Sequence, residues 1–213
     1  MNAILSTTIP LPVILDQPAA TGRGRRHRIE NYSLTPADLD RFNDLLLRLG
    51  RRQAPLARDQ VATAARQLCD DSQLAVEPPS IRERMGRLEA AALMVDDPDW
   101  TSATEAADTA RLVIEYARAS DGLIPDWVPT VGRLDDAIVL DTAWPRLAGE
   151  IQGYLDFCRA RELQSAQRGS APAGFARADW ERTRAEAHAL ATHQRGVREH
   201  SYLPQPAAMF RIH

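Results

Sequence analysis

Residues 120–141 read SDGLIPDWVPTVGRLDDAIVLD and interrupt a chain whose other apolar residues recur mainly at helical spacing. We call this stretch the acidic segment. Pro125 and Pro129 each disfavour helical backbone in the residue before them, so the helical pattern breaks here. The large apolar residues around the prolines must still leave water, which predicts a rigid joint packed under the two flanking helices. These residues are Leu123, Ile124, Trp127, Val128 and Val131.

The carboxylates of the acidic segment are expected to serve this joint. Asp135 and Asp136 fall where the next helix begins, and the unpaired N–H groups there favour acids. We expect one of the two to cap the helix and the other to face solvent. Asp126 is expected to accept N–H groups inside the joint, and Gly132 to adopt a backbone conformation that other residues resist.

The sequence predicts an all-α fold: an irregular helical bundle of six to seven helices, with an extended N-terminal peptide and a peripheral C-terminal helix. Thr101 or Ser102 is expected to cap the helix that leads into the acidic segment. Whether Trp144 starts a new helix or continues one kinked at Pro145 stays open. Helical spacing indicates helices near 36–49, 57–69, 80–96, 102–118, 145–163 and 177–199.

Composition shifts divide the chain into four regions. An extended region rich in proline and arginine precedes a helical bundle, and a polar linker separates the bundle from a last helix and tail. The expected boundaries are 1–33, 34–164, 165–176 and 177–213.

Charge and motif content argue against several functions. The net charge is −3, which gives no general attraction to nucleic acid. All 26 basic residues are arginine, so a phosphate-binding loop with lysine is absent, as are the His-Glu-x-x-His and Gly-x-Ser-x-Gly motifs. We expect no cofactor. Cys69 and Cys158 lie far apart within apolar helical patterns, so we expect buried free thiols, which fits a reducing compartment. No apolar run approaches the roughly 20 residues that span a bilayer, so we expect a cytoplasmic protein, with peripheral association with the inner membrane left open.

A hard cation is the alternative role for the acids of the segment, which run from Asp121 to Asp141. Carboxylate oxygens suit calcium or magnesium, but the spacing is not that of an EF-hand. Capping is therefore preferred, and any metal would be held by Asp126, Asp135 and Asp136.

Two other regions are candidates for binding a partner. The N-terminal residues alternate with prolines, which excludes a helix or central strand and leaves a disordered tail or a peptide docked in a groove. We expect removal of residues 1–20 to spare folding and weaken partner binding. The last helix carries only a thin apolar stripe. The candidates are Ile9, Leu11, Val13, Ile14, Leu15, the arginines Arg23, Arg25, Arg26 and Arg28, and Trp180 and Leu190 of the last helix.

The motif at 123–140 resembles the signature of the YkvA-like family of bacterial proteins, the domain-of-unknown-function family numbered 1232. The resemblance covers about residues 103–142. It departs at Gly122, where the family has an aspartate; Asp121 lies one place earlier. The resemblance implies a small helical domain, often near membranes, with no established reaction. The matching residues are Leu123, Ile124, Pro125, Asp126, Pro129, Gly132, Leu134, Asp135 and Asp136.

Three functions are consistent with these features. The first is a non-catalytic interaction protein, such as an adaptor, an immunity-type neutraliser or an assembly subunit, docked to a protein partner through its N-terminal peptide, its last helix or both. The second is a YkvA-like protein at the surface of the inner membrane. The third, an enzyme or metal protein using the acidic cluster, ranks last. Homo-oligomerisation stays open.

Overall fold

The computed structural model describes residues 9–18, 27–71, 77–168 and 174–201, and within them it confirms an all-α fold. A short 3-10 helix and a two-stranded antiparallel hairpin, β1 and β2, precede six α-helices. The elements are Val13–Leu15, β1 Arg28–Ile29, β2 Tyr32–Ser33, α1 Pro36–Arg48, α2 Arg58–Asp71, α3 Pro79–Asp96, α4 Thr104–Arg118, α5 Leu134–Arg168 and α6 Arg177–Ser201.

The chain forms two compact units, residues 1–156 and 157–213, and the division falls inside α5. Because α5 is continuous through Pro145, Trp144 does not begin a new helix. The same helix runs to Arg168, four residues into the stretch that the sequence predicts as a linker.

Local signals account for the start and end of α1. The Thr35 side chain accepts the N–H of Asp38 at 3.2 Å, and Pro36 opens the first turn, as the sequence predicts. Leu39, Phe42 and Leu46 form its buried face, and Gly50, with a φ of 101°, follows the helix end.

The start of α4 depends on a distant residue. Its N-cap is Ala103, not Thr101 or Ser102, and no side chain of its own caps it. Instead, the N–H of Ala103 donates to the Glu150 carboxylate on α5 at 3.1 Å. A carboxylate from another helix thus takes the place of the expected capping side chain.

Charged residues are buried on α3, which the apolar pattern does not predict. Arg84 and Arg87 are each 1% exposed. Arg84 donates to Asp141 on α5 at 2.7 Å, and Arg87 donates to Glu83 at 2.5 Å. The Arg87 guanidinium also lies 4.5 Å from the centre of the Trp144 ring. These contacts compensate part of the cost of burying the two charges.

Candidate functional site

The connector, residues 119–133 between α4 and α5, is packed largely as the sequence predicts. Leu123, Ile124, Val128 and Val131 are all at most 2% exposed. Trp127 is the exception, since it is 66% exposed, and the expectation that it is buried is wrong. The N–H of Val128 donates to the Pro125 carbonyl at 2.9 Å, so Trp127 lies at the corner of a turn.

Asp135 links the connector to both flanking helices. Its Oδ2 accepts the Tyr116 hydroxyl of α4 at 2.7 Å and the Ile124 N–H of the connector at 3.1 Å. The backbone N–H groups of Asp135 and Asp136, in the first turn of α5, also favour the charged form of this carboxyl and so lower its pKa, against the effect of burial. Asp135 therefore orders the connector, a role that the sequence does not predict for either acid of the pair.

Neither Asp135 nor Asp136 faces solvent, so the expectation that one of the two does is wrong. Asp136 is 6% exposed, and its Oδ2 lies 3.5 Å from Nε of Arg133. Burial raises the pKa of Asp136 to about 7, an effect increased by the charge of Asp135 and opposed by Arg133. Burial likewise raises the pKa of Asp135 to about 6, against its hydrogen bonds. Two adjacent carboxyl groups thus titrate well above their ordinary range.

Tyr116 is a member of this site that sequence reasoning missed. Its hydroxyl accepts the Leu123 N–H at 2.9 Å while donating to Asp135. Burial raises the pKa of Tyr116 above its ordinary value, with a further contribution from the charge of Asp135. Since Asp135 is 19 residues away, no helical spacing signals the contact.

Gly132 is required for a different reason from the one predicted. The left-handed backbone falls at Thr130, with a φ of 65°, and not at Gly132. A Cβ at Gly132 would lie 2.7 Å from the Asp126 carbonyl oxygen and 2.8 Å from that of Val128. The glycine therefore permits close approach of two backbone stretches.

The remaining acids do not converge with Asp135. Asp126 is exposed, and its carboxylate makes no hydrogen bond within the described part of the chain. The Asp121 side chain is 71% exposed and lies 3.7 Å from Arg41, whereas Asp141 is bound to Arg84. Among residues 9–18, 27–71, 77–168 and 174–201, no group of three or more His, Cys, Asp or Glu residues could hold a metal ion.

The remaining residues of the motif and the two cysteines differ in burial. Leu134, the first residue of α5, is fully buried, whereas Pro125 is half-buried and Pro129 exposed. Gly122 faces Asp135, because a Cβ there would lie 3.0 Å from Oδ2 of that carboxylate. Cys69 and Cys158 are half-buried thiols, not fully buried ones.

The N-terminal candidates lie against their own chain. We call residues 9–17 the strap. The Ile9 N–H donates to Glu83 at 2.9 Å, and its carbonyl accepts from Arg84 at 2.8 Å. Gln60 donates to the carbonyls of Ile14 and Gln17 at 3.2 and 2.7 Å. The strap is thus docked against the same chain, and it is not extended throughout, since Val13–Leu15 form a 3-10 helix.

Side chains of the strap differ in burial. Leu15 is 4% exposed, Leu11 and Ile14 are half-buried, and Ile9 and Val13 are exposed. Arg28 is exposed in β1, and its carbonyl accepts from Arg66 at 3.0 Å. Arg23, Arg25 and Arg26 lie outside the described residues.

The candidates of the last helix also differ in burial. Trp180, near the start of α6, is 8% exposed, with the Arg184 guanidinium 5.3 Å from its ring centre. Beyond it, every residue from 181 to 195 is exposed, and Leu190 is 57% exposed. The predicted stripe therefore has a buried beginning and an exposed continuation.

Comparisons with known proteins add no further assignment. The chain matches no protein-family model, and searches of curated proteins and of solved structures found no significant match. Within the described residues, no helix combines the length and apolar character needed to cross a membrane.

Proposed function

We propose that this protein is a helical interaction protein that docks a protein partner through α6. The observation that supports the proposal is the exposure of every residue from 181 to 195 along a helix that extends from Arg177 to Ser201. Most helices in proteins derive their stability from an apolar face packed against another element. A partner packed on α6 would supply that stabilisation.

Leu190 marks the face of α6 that the partner would cover. Ala187 precedes it by three residues and Val197 follows by seven, so the three lie near one face of the helix. Leu190 and Val197 are 57% and 50% exposed. An amphipathic helix or shallow apolar groove on the partner fits such a face.

The strap supports this choice of docking element. Because the main chain of residues 9–17 is held by Glu83, Arg84 and Gln60, and Leu15 is buried, this peptide is occupied within its own chain. We therefore assign docking to α6 in preference to the N-terminal peptide.

The test compares two leucines of equal exposure. Leu190→Glu alters α6, whereas Leu93→Glu alters α3, where Leu93 is 56% exposed. Both proteins are immobilised with the unchanged chain and used to recover partners from the native host. A recovered protein is then purified and its dissociation constant measured against all three.

We expect Leu190→Glu to weaken binding at least about tenfold, because a buried unpaired carboxylate at an interface is costly, and Leu93→Glu to leave it unchanged. Equal binding by all three proteins would overturn the assignment to α6. Light scattering on the purified chain identifies a second copy as the partner if the chain is dimeric and Leu190→Glu makes it monomeric.

A peripheral membrane role is the second candidate, and Trp127 is the observation that favours it. Its ring is 66% exposed and contacts Tyr32 edge to face at a centroid distance of 6.0 Å. Tyrosine and tryptophan are enriched at membrane interfaces. The exposed Asp126, which precedes Trp127 in the chain, favours an uncharged surface over an anionic one.

Flotation with zwitterionic phosphatidylcholine vesicles tests this candidate. We expect the unchanged chain to float and Trp127→Ala to remain in the dense fraction, since other apolar residues of the connector are buried. Failure of the unchanged chain to float would exclude the membrane role and leave the protein-partner proposal intact.

A further inference from the structure

We infer that a cavity of about 740 Å³, between the end of α1, the strap and the middle of α5, binds a small organic molecule that carries a phosphate group. The volume falls within the range of about 300–1,000 Å³ that is usual for small-molecule sites. The inference rests on the charges, donors and apolar surfaces that line this cavity, and it is independent of α6.

Positive charge dominates the lining. Arg51, Arg52 and Arg146 face the cavity, and the acids that line it are Asp16 and Asp141. Asp141 is already bound to the buried Arg84 at 2.7 Å, so only Asp16 offsets the three arginines. An anion of charge −2 would therefore neutralise the cavity.

Arg51 retains donor capacity toward such a ligand. One of its Nη atoms donates to the Leu15 carbonyl at 2.8 Å, while its buried Nε–H has no acceptor among the described residues. Burial also lowers the pKa of Arg51, against the influence of Asp16, because removal from water disfavours its charge. A bound anion would offset the unfavourable burial of the Arg51 charge.

The Arg146 side chain lies at the cavity wall, close to Gly50. A Cβ on Gly50 would lie 2.9 Å from one Nη of Arg146, and the glycine has a φ of 101°. The other Nη donates to the Arg48 carbonyl at 3.3 Å, a long hydrogen bond. The glycine that follows α1 thus leaves room for a guanidinium from α5 beside the end of the helix.

The ligand would have an apolar part as well as an anionic one. Leucines and other apolar residues form part of the wall, and a bare inorganic ion would leave this surface without a contact. The guanidinium fork matches the oxygens of a phosphate group, which accepts paired hydrogen bonds. The apolar lining comprises Leu11, Leu15, Leu47, Leu49, Ile138 and Pro145.

Calorimetry with the full chain tests the inference through three probes: inorganic phosphate, phenyl phosphate and benzoate. We expect phenyl phosphate to bind at least about fivefold more tightly than either of the others, since only it offers both the dianion and the apolar ring. Phenyl phosphate at about 10 mM would reveal even a weak specific site. If no heat of binding is detected at that concentration, the inference is overturned. Equal binding of benzoate would overturn the assignment to phosphate.

Two variants and a control locate the site. Arg52→Gln and Arg146→Gln should each weaken phenyl phosphate binding about tenfold, because each removes a charged donor. Arg118→Gln is the control, since that side chain is 67% exposed and does not line the cavity. Thermal melting of each variant verifies folding. Unchanged affinity in folded Arg52→Gln and Arg146→Gln would overturn the inference.

Discussion

The Tyr116 hydroxyl donates to Oδ2 of Asp135 at 2.7 Å and accepts the Leu123 N–H at 2.9 Å. One hydroxyl thus serves the end of α4, the start of the connector and the first turn of α5. Asp135 is 2% exposed, so its carboxylate has little access to water as an alternative donor. The joint between α4 and α5 therefore depends on a polar network as well as on buried apolar side chains.

Removal of this hydroxyl should destabilise the protein. We expect Tyr116→Phe to lower the free energy of unfolding by about 1–3 kcal/mol, because it leaves the Leu123 N–H without its acceptor and removes one of the donors to the buried Asp135 carboxylate. Tyr32→Phe is the control, since Tyr32 is only half-buried. Urea unfolding measures both. A Tyr116→Phe protein as stable as Tyr32→Phe would show that the network contributes nothing.

The titration of Asp136 predicts a pH dependence of stability. The pKa of Asp136 is raised to about 7 in the folded protein by burial, from about 4 in an unfolded chain. The folded state therefore binds more protons between these values, and this contribution to stability is full below about pH 4 and is lost as pH rises through 7. Asp135, with its pKa raised to about 6, acts in the same direction.

Asp136→Asn isolates the contribution of this group. We expect the substitution to raise the free energy of unfolding by about 1–2 kcal/mol at pH 8 and to change it little at pH 4, where the aspartic acid is already neutral. Asp121→Asn, at an exposed position of the acidic segment, should show no such difference between the two pH values. Equal effects of Asp136→Asn at pH 4 and pH 8 would contradict the prediction.

Close backbone approach makes Gly132 the most demanding position of the connector. Gly132→Ala should lower the free energy of unfolding by about 2–4 kcal/mol, since the added Cβ meets two carbonyl oxygens below 3 Å. Gly86→Ala, inside α3, meets nothing within 4 Å and should stabilise by about 0.5–1 kcal/mol. Thermal unfolding of the two variants tests whether each changes stability in the expected direction. A Gly132→Ala protein as stable as the unchanged chain would refute the close-approach argument.

The sequence predicts those features that depend on neighbours along the chain. Pro125 and Pro129 break the helix through local sterics, and Thr35 and Pro36 open α1 through local hydrogen bonding, so both features were predicted and confirmed. The apolar residues around the prolines were also expected to be buried, and Leu123 and Ile124 are.

Features that depend on distant partners could not be predicted in this way. Tyr116 meets Asp135 across 19 residues, and Arg84 meets Asp141 across 57, so neither contact leaves a periodic signal. The exposure of Trp127 follows from the turn geometry between Pro125 and Val128, which composition does not specify. Residue type gives the chemistry of a side chain, whereas its burial depends on the tertiary fold.

Because the strap is docked on its own chain, its removal should lower the stability of the fold. Residues 9–17 cover Gln60, which is 4% exposed, and Gln60 donates to the Ile14 and Gln17 carbonyls. Removal of residues 1–18 would take away the buried Leu15 side chain and exchange the Gln60 hydrogen bonds for bonds to water, so we expect a loss of stability of about 1–3 kcal/mol. The sequence alone, by contrast, predicts that removal of residues 1–20 spares folding.

Leu15→Ala tests strap docking without truncating the chain. Leu15 is 4% exposed and Val13 is 65% exposed, so Leu15→Ala should cost about 2 kcal/mol and Val13→Ala less than about 0.5. If the strap detaches while the rest of the chain stays folded, the loss of stability cannot exceed the free energy of strap docking. Such detachment should also speed proteolysis within residues 9–17. Urea unfolding and limited proteolysis together decide the matter: identical behaviour of the two variants in both would show that the strap does not stabilise the bundle.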